Sequence, residues 1–511
     1  PSLAWALGAR AQAPAADAPA LLAPASDLPA GRDDELTSWI ASQRDRSYRH
    51  LLRNVSPTAP FERDVESRFI APERLDYVRA ETARTGGRIR LHGDHVWQRI
   101  VPSPGSVSAA APGPPSEPDY FFHWIRDSAL VMRALATLQA AAPPAQAAQC
   151  AQHLGDFIRF SRTLQASASP ESIGEPRFNM DGTPDILQWS RPQFDGPALR
   201  ALTLMHYERV PATPLARDLS EMLAQVVDAD LDYLAANWMR PSFDYWEENR
   251  GYDFHTRVVE AGALHAGARR ALAAHNRGRA DTYAAAEARL REALESHWLP
   301  ARGYYGFHQV KSRPGDNFDT AIVIAALHSR LADGRYSLLD DRVLATMAKI
   351  EDLFSHLFPV NGTLADDEGL LYGRYVGDQY YGGGAWGMVT LEFAEAQYRL
   401  AALLAAHASL PVTPLNRTVF ERALRRAGNG TNLGDQGDAF ADAAVRRALL
   451  RGFVVRGDDI LRTVRRFTPP TGDMPEQYDK NTGAPTSTSN LTWGHAAFLA
   501  ATDARAKVAD L

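Results

Sequence analysis

Helical periodicity runs through almost the whole chain, and this repetition restricts the fold more than any other feature. Apolar residues recur at three-to-four spacing over 37–52, 127–141, 147–163, 196–207, 214–237, 256–276, 280–296, 319–331, 340–357, 387–407, 414–426, 440–453 and 491–504. That spacing marks helices with one buried face. Short turns join these segments in pairs, and longer stretches rich in aromatics and glycine separate successive pairs. Strand-like alternation is sparse, confined to patches such as 88–92. About a dozen paired helices suggest either a solenoid or a closed ring of six hairpins; no fixed repeat of about 34 to 45 residues is visible, which disfavours a regular solenoid. The expectation is an all-α chain, a ring of hairpins whose loops gather round a central mouth where a concave site would form.

Composition narrows what such a ring can do. At 511 residues and 45% hydrophobic content the chain can bury a large core. The net charge of −6 and a pI near 6.2 argue against a phosphate backbone as partner, which needs a basic surface. No apolar run approaches the roughly 18 residues of a membrane span. One cysteine, Cys150, excludes an intramolecular disulfide and any multi-cysteine metal site. Residues 1–34, rich in Ala and Pro, read as a flexible leader, and 35–511 as a single domain. A second loose stretch, 102–118, holds six prolines and reads as a surface loop. Asn-x-Ser/Thr patterns at Asn54, Asn361, Asn416, Asn429 and Asn490 use five of twelve asparagines. The chain opens on Pro1, and residues 3–11 read as the tail of a trimmed signal sequence. Together these predict a secreted or vacuolar glycoprotein, a monomer without membrane or nucleic-acid partners.

The residues that can carry chemistry lie between the helices. The segment 118–128 mixes aromatics with Arg126, Asp127 and Ser128 just where a helix begins. Asp127 or Ser128 is either an N-cap or half of a carbohydrate grip, in which carboxylate and guanidinium bond adjacent hydroxyls while rings stack on the sugar. In 188–200, Asp195-Gly196-Pro197 is a turn and cap signal, and Trp189 faces either a ligand or the core. The doublet Glu247-Glu248 is either a solvated face or, following Trp246 in an aromatic cluster, a pair of working carboxyls with a raised pKa. Glu476 stands between Pro475 and Gln477-Tyr478, near Trp493, and a further loop runs from Gly373 to Trp386. Five of the ten tryptophans (Trp124, Trp189, Trp246, Trp386, Trp493) fall in these segments. Loops with Trp, Arg and separated carboxylates describe a saccharide pocket, and two separated Glu are the minimum equipment for acid/base cleavage of a glycosidic bond.

The ordered series resembles the glucoamylases, the inverting exo-acting α-glucosidases of glycoside hydrolase family 15. The matching runs are Tyr-Phe-Phe-x-Trp-x-Arg-Asp-Ser at 120–128, Trp-x-Arg-Pro-Gln-x-Asp-Gly-Pro-Ala-Leu-Arg at 189–200, Trp-Glu-Glu at 246–248, Gly-Arg-Tyr at 373–375, Glu-Gln-Tyr-Asp at 476–479 and Leu-Thr-Trp at 491–493. The resemblance implies an (α/α)6 barrel with long active-site loops at one end. It implies Glu247 as general acid and Glu476 as general base, with Glu248 binding sugar hydroxyls beside Glu247. By the same likeness Tyr120, Trp124, Arg126, Asp127, Trp189, Trp246, Arg374, Tyr380 and Trp493 line the substrate site, with Trp386 near them. Arg177, which stands where the family often has Lys, is expected by the same likeness to bind substrate with them.

The activity implied by this likeness is hydrolysis of terminal α-1,4-linked glucose from non-reducing ends of starch, glycogen and maltooligosaccharides, releasing β-glucose. No cofactor or metal is expected, since both catalytic functions are proton transfers by carboxyls. Activity is expected at mildly acidic pH with Glu476 ionised and Glu247 protonated. Two departures stand out. Gly382-Gly383-Gly384-Ala385 replaces a more polar stretch, and Asn490 stands where Asp is common and is expected to carry no glycan. No separate starch-binding domain is expected. The competing readings are an exo-hydrolase preferring α-1,6 linkages, a non-catalytic regulatory module similar to that of phosphorylase kinase large subunits, and a plain helical scaffold.

Overall fold

A computed structural model describes residues 34–84, 87–167, 172–210, 214–309, 317–332, 334–428, 430, 433–434 and 437–511. The leader up to residue 33 and Asn429 lie outside the described residues. In chain order the helices are α1 (Asp34–Asn54), α2 (Leu75–Ala83), α3 (Ile125–Gln139), α4 (Pro144–Gln165), α5 (Asp195–Tyr207), α6 (Arg217–Asn237), α7 (Phe254–Ala273), α8 (Arg277–Leu294), α9 (Ala321–His328), α10 (Asp341–Leu357), α11 (Gly387–Ala405), α12 (Arg417–Ala427), α13 (Ala443–Phe467) and α14 (Thr492–Ala506).

Helices α3, α5, α7, α9, α11 and α14 pack side by side in a closed circle, α14 returning against α3. Around them stand α4, α6, α8, α10 and α13, with the short α12 against α13, while α1 closes the outer layer against α14. The chain is an (α/α)6 barrel, as its helix pairing and family likeness led one to expect. Burial explains the sorting. Every residue of α9 is buried, as an inner position demands. In α12 only Val419, Phe420, Ala423, Leu424 and Ala427 are buried, a single stripe suited to the outer layer. Polar stitches fix the layers. Arg200 on α5 donates to both Asp230 oxygens at 2.8 and 2.6 Å, and Gln165 on α4 adds a bond of 2.8 Å. Asp253, Asn276, Asp340 and Asp442 cap the starts of α7, α8, α10 and α13 with their side chains.

The segments leading into the inner helices α3, α5, α7, α11 and α14 meet at one end of the barrel. Short two-residue ladders tie the loops there: His123–Trp124 pairs with Arg177–Phe178, and Gln477–Tyr478 lies between Ala385–Trp386 and Pro485–Thr486. One larger sheet joins β1 (Phe61–Glu66), β2 (Ile89–His92) and β3 (His95–Ile100) in the antiparallel order β1-β3-β2.

Several expectations need correction. The helix expected over 440–453 spans Ala443–Phe467, and Gly457 within it sits where the Tyr398 ring leaves no room for a Cβ. The stretch 102–118 is not wholly a surface loop: Ser106 to Ala110 are buried, and Ala109 O accepts from Thr492 N at 2.9 Å. The asparagine count is also misleading as a glycan signal. Asn54, Asn361 and Asn416 are buried, with amides donating to Thr492 (2.7 Å), Phe354 O (2.8 Å) and Asp341 (2.8 Å). The Asn490 amide is held between His50 and His495, in keeping with an unmodified residue. All four amides are thus engaged within the folded protein. Cys150 is buried and free. No helix among the described residues is long and apolar enough to cross a membrane.

Candidate active site

The loops at the open end bring both acidic side chains singled out in the sequence into one aromatic-walled site. Glu247 sits on a tight turn whose closing bond runs from its N–H to Asp244 O at 2.8 Å. Its φ of +63° lies in the left-handed region that non-glycine residues rarely adopt, and such strain persists only where surroundings impose it. They do so here. Asp244 accepts from Glu248 N at 2.9 Å and Asn249 N at 3.2 Å, and Ser190 Oγ donates to Glu247 O at 2.6 Å.

The Glu247 carboxyl is ringed by N–H donors from two segments, 118–128 and 188–200. Oε1 accepts from Trp124 Nε1 at 2.9 Å, Arg126 Nη2 at 3.1 Å and Gln193 Nε2 at 3.1 Å; Oε2 accepts from Trp189 Nε1 at 3.0 Å. The atoms that contact it are all donors, so a proton on Glu247 finds its acceptor in a bound molecule. Glu248 points elsewhere. Its Oε1 lies 2.9 Å from Arg374 Nη2, and Tyr375 Oη donates to Oε2 at 2.5 Å.

Glu476 has a contrasting environment. It is 4% exposed, the Ser487 hydroxyl donates to Oε2, and Tyr120 adds a second hydroxyl, itself bonded to Tyr380. Burial pushes its carboxyl up to about 7, against the downward pull of Ser487, Tyr120 and Arg374. Ionisation of Glu476, which the sequence reading asks for at mildly acidic pH, is thus opposed by its burial and favoured by these donors. Asp127 is also pushed up, to about 6, by burial and by Glu247 and Asp195, with Arg126 acting in the opposite direction.

The remaining predicted residues fall into place around these carboxyls. Arg126 reaches Gln193 at 3.1 Å, Asp195 at 3.3 Å and Asp127 at 3.3 Å. Asp195, read from sequence as a turn and cap residue, is thus also the buried counter-ion of Arg126. Arg374 is held by both oxygens of Asp378 at 2.8 and 2.5 Å, with Trp246, Trp386 and Tyr380 ring centroids 5.4, 5.0 and 5.5 Å from its guanidinium carbon. Trp246 donates to Asp319 at 3.0 Å. Trp493 donates to the buried Glu392 at 3.1 Å, which also contacts His328 at 3.1 Å. Tyr120, Trp124 and Trp189 form a run of edge-to-face rings with centroids 5.6 and 5.8 Å apart.

Arg177 lies behind this wall and not in it. It is 2% exposed, ion-paired to Asp185 at 2.8 Å, with its guanidinium 3.5 Å from the Trp189 centroid. Its place explains why a cation follows the aromatic run: it stacks on the wall from outside. The Gly382–Gly384 departure is a backbone requirement, since Gly383 has φ +66° and any Cβ there would run into the Asp378 carbonyl. Sequence reasoning missed Ser487, Gln193 as a partner of Glu247, Tyr375 and Asp378. Their roles depend on the contacts they make, which residue type does not disclose.

The arrangement can bind a polyhydroxylated ring against indoles, grip its hydroxyls with two arginine–carboxylate sets, and exchange protons through two carboxyls with different hydrogen-bond partners. Comparisons with known proteins agree with that chemistry. The family described as "Glycosyl hydrolases family 15" matches residues 96–503. The chain is 31% identical over 398 residues to "Glucoamylase-1" of Schizophyllum commune, covering 76% of this chain and 67% of that protein. It is 30% identical over 435 residues to "Glucoamylase" of Blastobotrys adeninivorans, covering 79% and 67%. Among solved structures, the family 15 glucoamylase from Hypocrea jecorina superposes with a TM-score of 0.73 at 25% identity, over 93% of this chain and 73% of that one. The glucoamylase from Saccharomycopsis fibuligera shares the fold, with a TM-score of 0.75 at 23% identity over 96% and 99% of the two chains.

Proposed function

The chain belongs to glycosyl hydrolases family 15 and is a glycoside hydrolase, and from that premise we propose that it is a glucoamylase. In this reading it removes terminal α-1,4-linked glucose from the non-reducing ends of starch, glycogen and maltooligosaccharides with inversion, releasing β-D-glucose. The observation that carries the reading is the contrast between the carboxyls of one site, Glu247 ringed by N–H donors and Glu476 buried among hydroxyls.

Glu247 is the general acid. The acceptor its proton lacks within the protein is the glycosidic oxygen, so binding a substrate completes its hydrogen bonding, and proton transfer breaks the bond. Glu476 is the general base. It takes a proton from water as that water attacks the anomeric carbon, with Ser487 and Tyr120 holding the carboxyl in orientation. Inversion needs room for this water, about 6.5–9.5 Å between carboxyls. Arg126 with Asp127, and Arg374 with Glu248, grip the hydroxyls of the terminal glucose, while Trp124, Trp189, Trp246 and Trp493 wall the ring.

The test compares the native protein with Glu247→Gln and Glu476→Gln on maltotriose and isomaltotriose. The native protein should release glucose faster from maltotriose, and each variant should lose about 10²–10⁴-fold in kcat. Near-native kcat in either variant contradicts the assignment, and preference for isomaltotriose favours the α-1,6 alternative. A secreted or vacuolar location is part of this proposal, tested by fractionating the native cells. One relative, 26% identical over 83% of the chain, is named "Glucoamylase, intracellular sporulation-specific", from Saccharomyces cerevisiae.

A further inference from the structure

The family match begins at residue 96, so β1, α2 and β2 precede it. Together with β3 they form a small module whose two faces differ. The inward side chains Val65, Ile89 and Val96 pack with Phe122 and Trp124, the back of the catalytic wall. On the outward face Trp97 is 41% exposed, which is unusual for so large an apolar side chain in mid-strand.

Strand register sets its neighbours. Asp64 on β1 and Arg90 on β2 stand directly opposite Trp97 on its two sides. On the next outward rung Arg99 faces Glu62, and its N–H bonds Arg88 O at 2.9 Å. Arg88 is tied to Asp181 at 2.9 Å. Among the described residues no hydrogen bond or ion pair engages the side chains of Glu62, Arg90 or Arg99, all exposed. With Leu91 these groups border a shallow groove of about 330 Å³. The groove carries Arg88, Arg90 and Arg99 against Glu62, with Arg88 committed to Asp181, while Asp64 and Glu66 lie beside it, bonded to His95 and Arg68. An exposed indole flanked by both donors and an acceptor suits hydroxyls, which give and take hydrogen bonds.

We propose that this face, centred on Trp97, is a second glucan-binding surface, holding an α-1,4-glucan chain outside the catalytic pocket. The indole stacks on a sugar ring, while Arg90, Arg99 and Glu62 bond the hydroxyls on either side. The choice of glucan rests on the proposed activity.

The test measures binding of the full chain to β-cyclodextrin, an α-1,4-linked ring without a non-reducing end, and to starch granules by sedimentation. Trp97→Ala should weaken both at least tenfold while kcat/KM on maltotriose stays within twofold and the melting temperature is unchanged. Arg90→Ala should weaken both in the same direction, and Trp97→Tyr should retain most of the binding. Equal binding by the native protein and Trp97→Ala overturns the proposal, as does native protein that binds neither glucan. Competition by heparin with a steep fall in affinity on adding salt also overturns it, since that marks a polyanion site. Glucan binding that depends on Trp97 in a native protein releasing no glucose from maltotriose supports this surface while contradicting the catalytic reading.

Discussion

The Trp189 indole donates to Glu247 Oε2 at 3.0 Å while its ring covers the buried Arg177 guanidinium, 3.5 Å from the ring centroid. One side chain thus fixes the Glu247 carboxyl and closes the wall behind it. Trp189→Phe keeps the ring and removes the donor. A hydrogen bond to a charged group contributes about 1.5–3 kcal/mol, so kcat/KM on maltotriose should fall by roughly ten- to a hundredfold. An unchanged value would mean that the indole acts only as a wall.

Turnover needs one proton on the pair of catalytic carboxyls, carried by Glu247 when the glycosidic bond breaks. With burial holding the proton of Glu476 up to about 7, the upper apparent value of the pair should lie there. As pH rises through that value the last proton is lost and Glu247 has none to deliver, so kcat/KM should fall. A profile still rising through pH 8 would contradict the pairing.

Ser487 donates to Glu476 and thereby favours its ionised form. Ser487→Ala should raise the Glu476 pKa further. The alkaline limb of kcat/KM then moves to higher pH, and the plateau drops because the base is ionised less often. A limb moving to lower pH would overturn this account of Glu476.

Arg200 and Asp230 are both buried, and Gln165 completes their network across α4, α5 and α6. Asp230→Ala leaves the guanidinium buried without its partner, so denaturant unfolding should show a loss of about 3–5 kcal/mol. The pair Asp230→Leu with Arg200→Met should recover part of that loss. Loss of less than about 1 kcal/mol in the single variant would show that water reaches Arg200.

The barrel was legible because helix periodicity survives in any sequence that must bury one face of each helix. Its closure by α1 against α14 was not, since contacts between chain ends leave no local pattern. The nine-residue α2 went unread, as did most of the sheet, where only the 88–92 patch alternates clearly. Within the site, Trp124, Arg126, Glu247 and Glu476 stood out by residue type crowded into short loops. Ser487 and Asp378 did not, because a serine or an aspartate in a turn reads as turn chemistry until the fold sets it against Glu476 or Arg374. The asparagines misled for a related reason: Asn416 and Asn361 match a glycan pattern, yet their amides bond inwards.

The central claim is that Glu247 and Glu476 act on opposite faces of one glucose with a water between sugar and base. Proton NMR of maltotriose during the first minutes of digestion tests it most directly, because the anomeric signals report which form is released before mutarotation. The account predicts that β-glucose appears first. Release of α-glucose first would mean retention, and would contradict the roles given to both carboxyls.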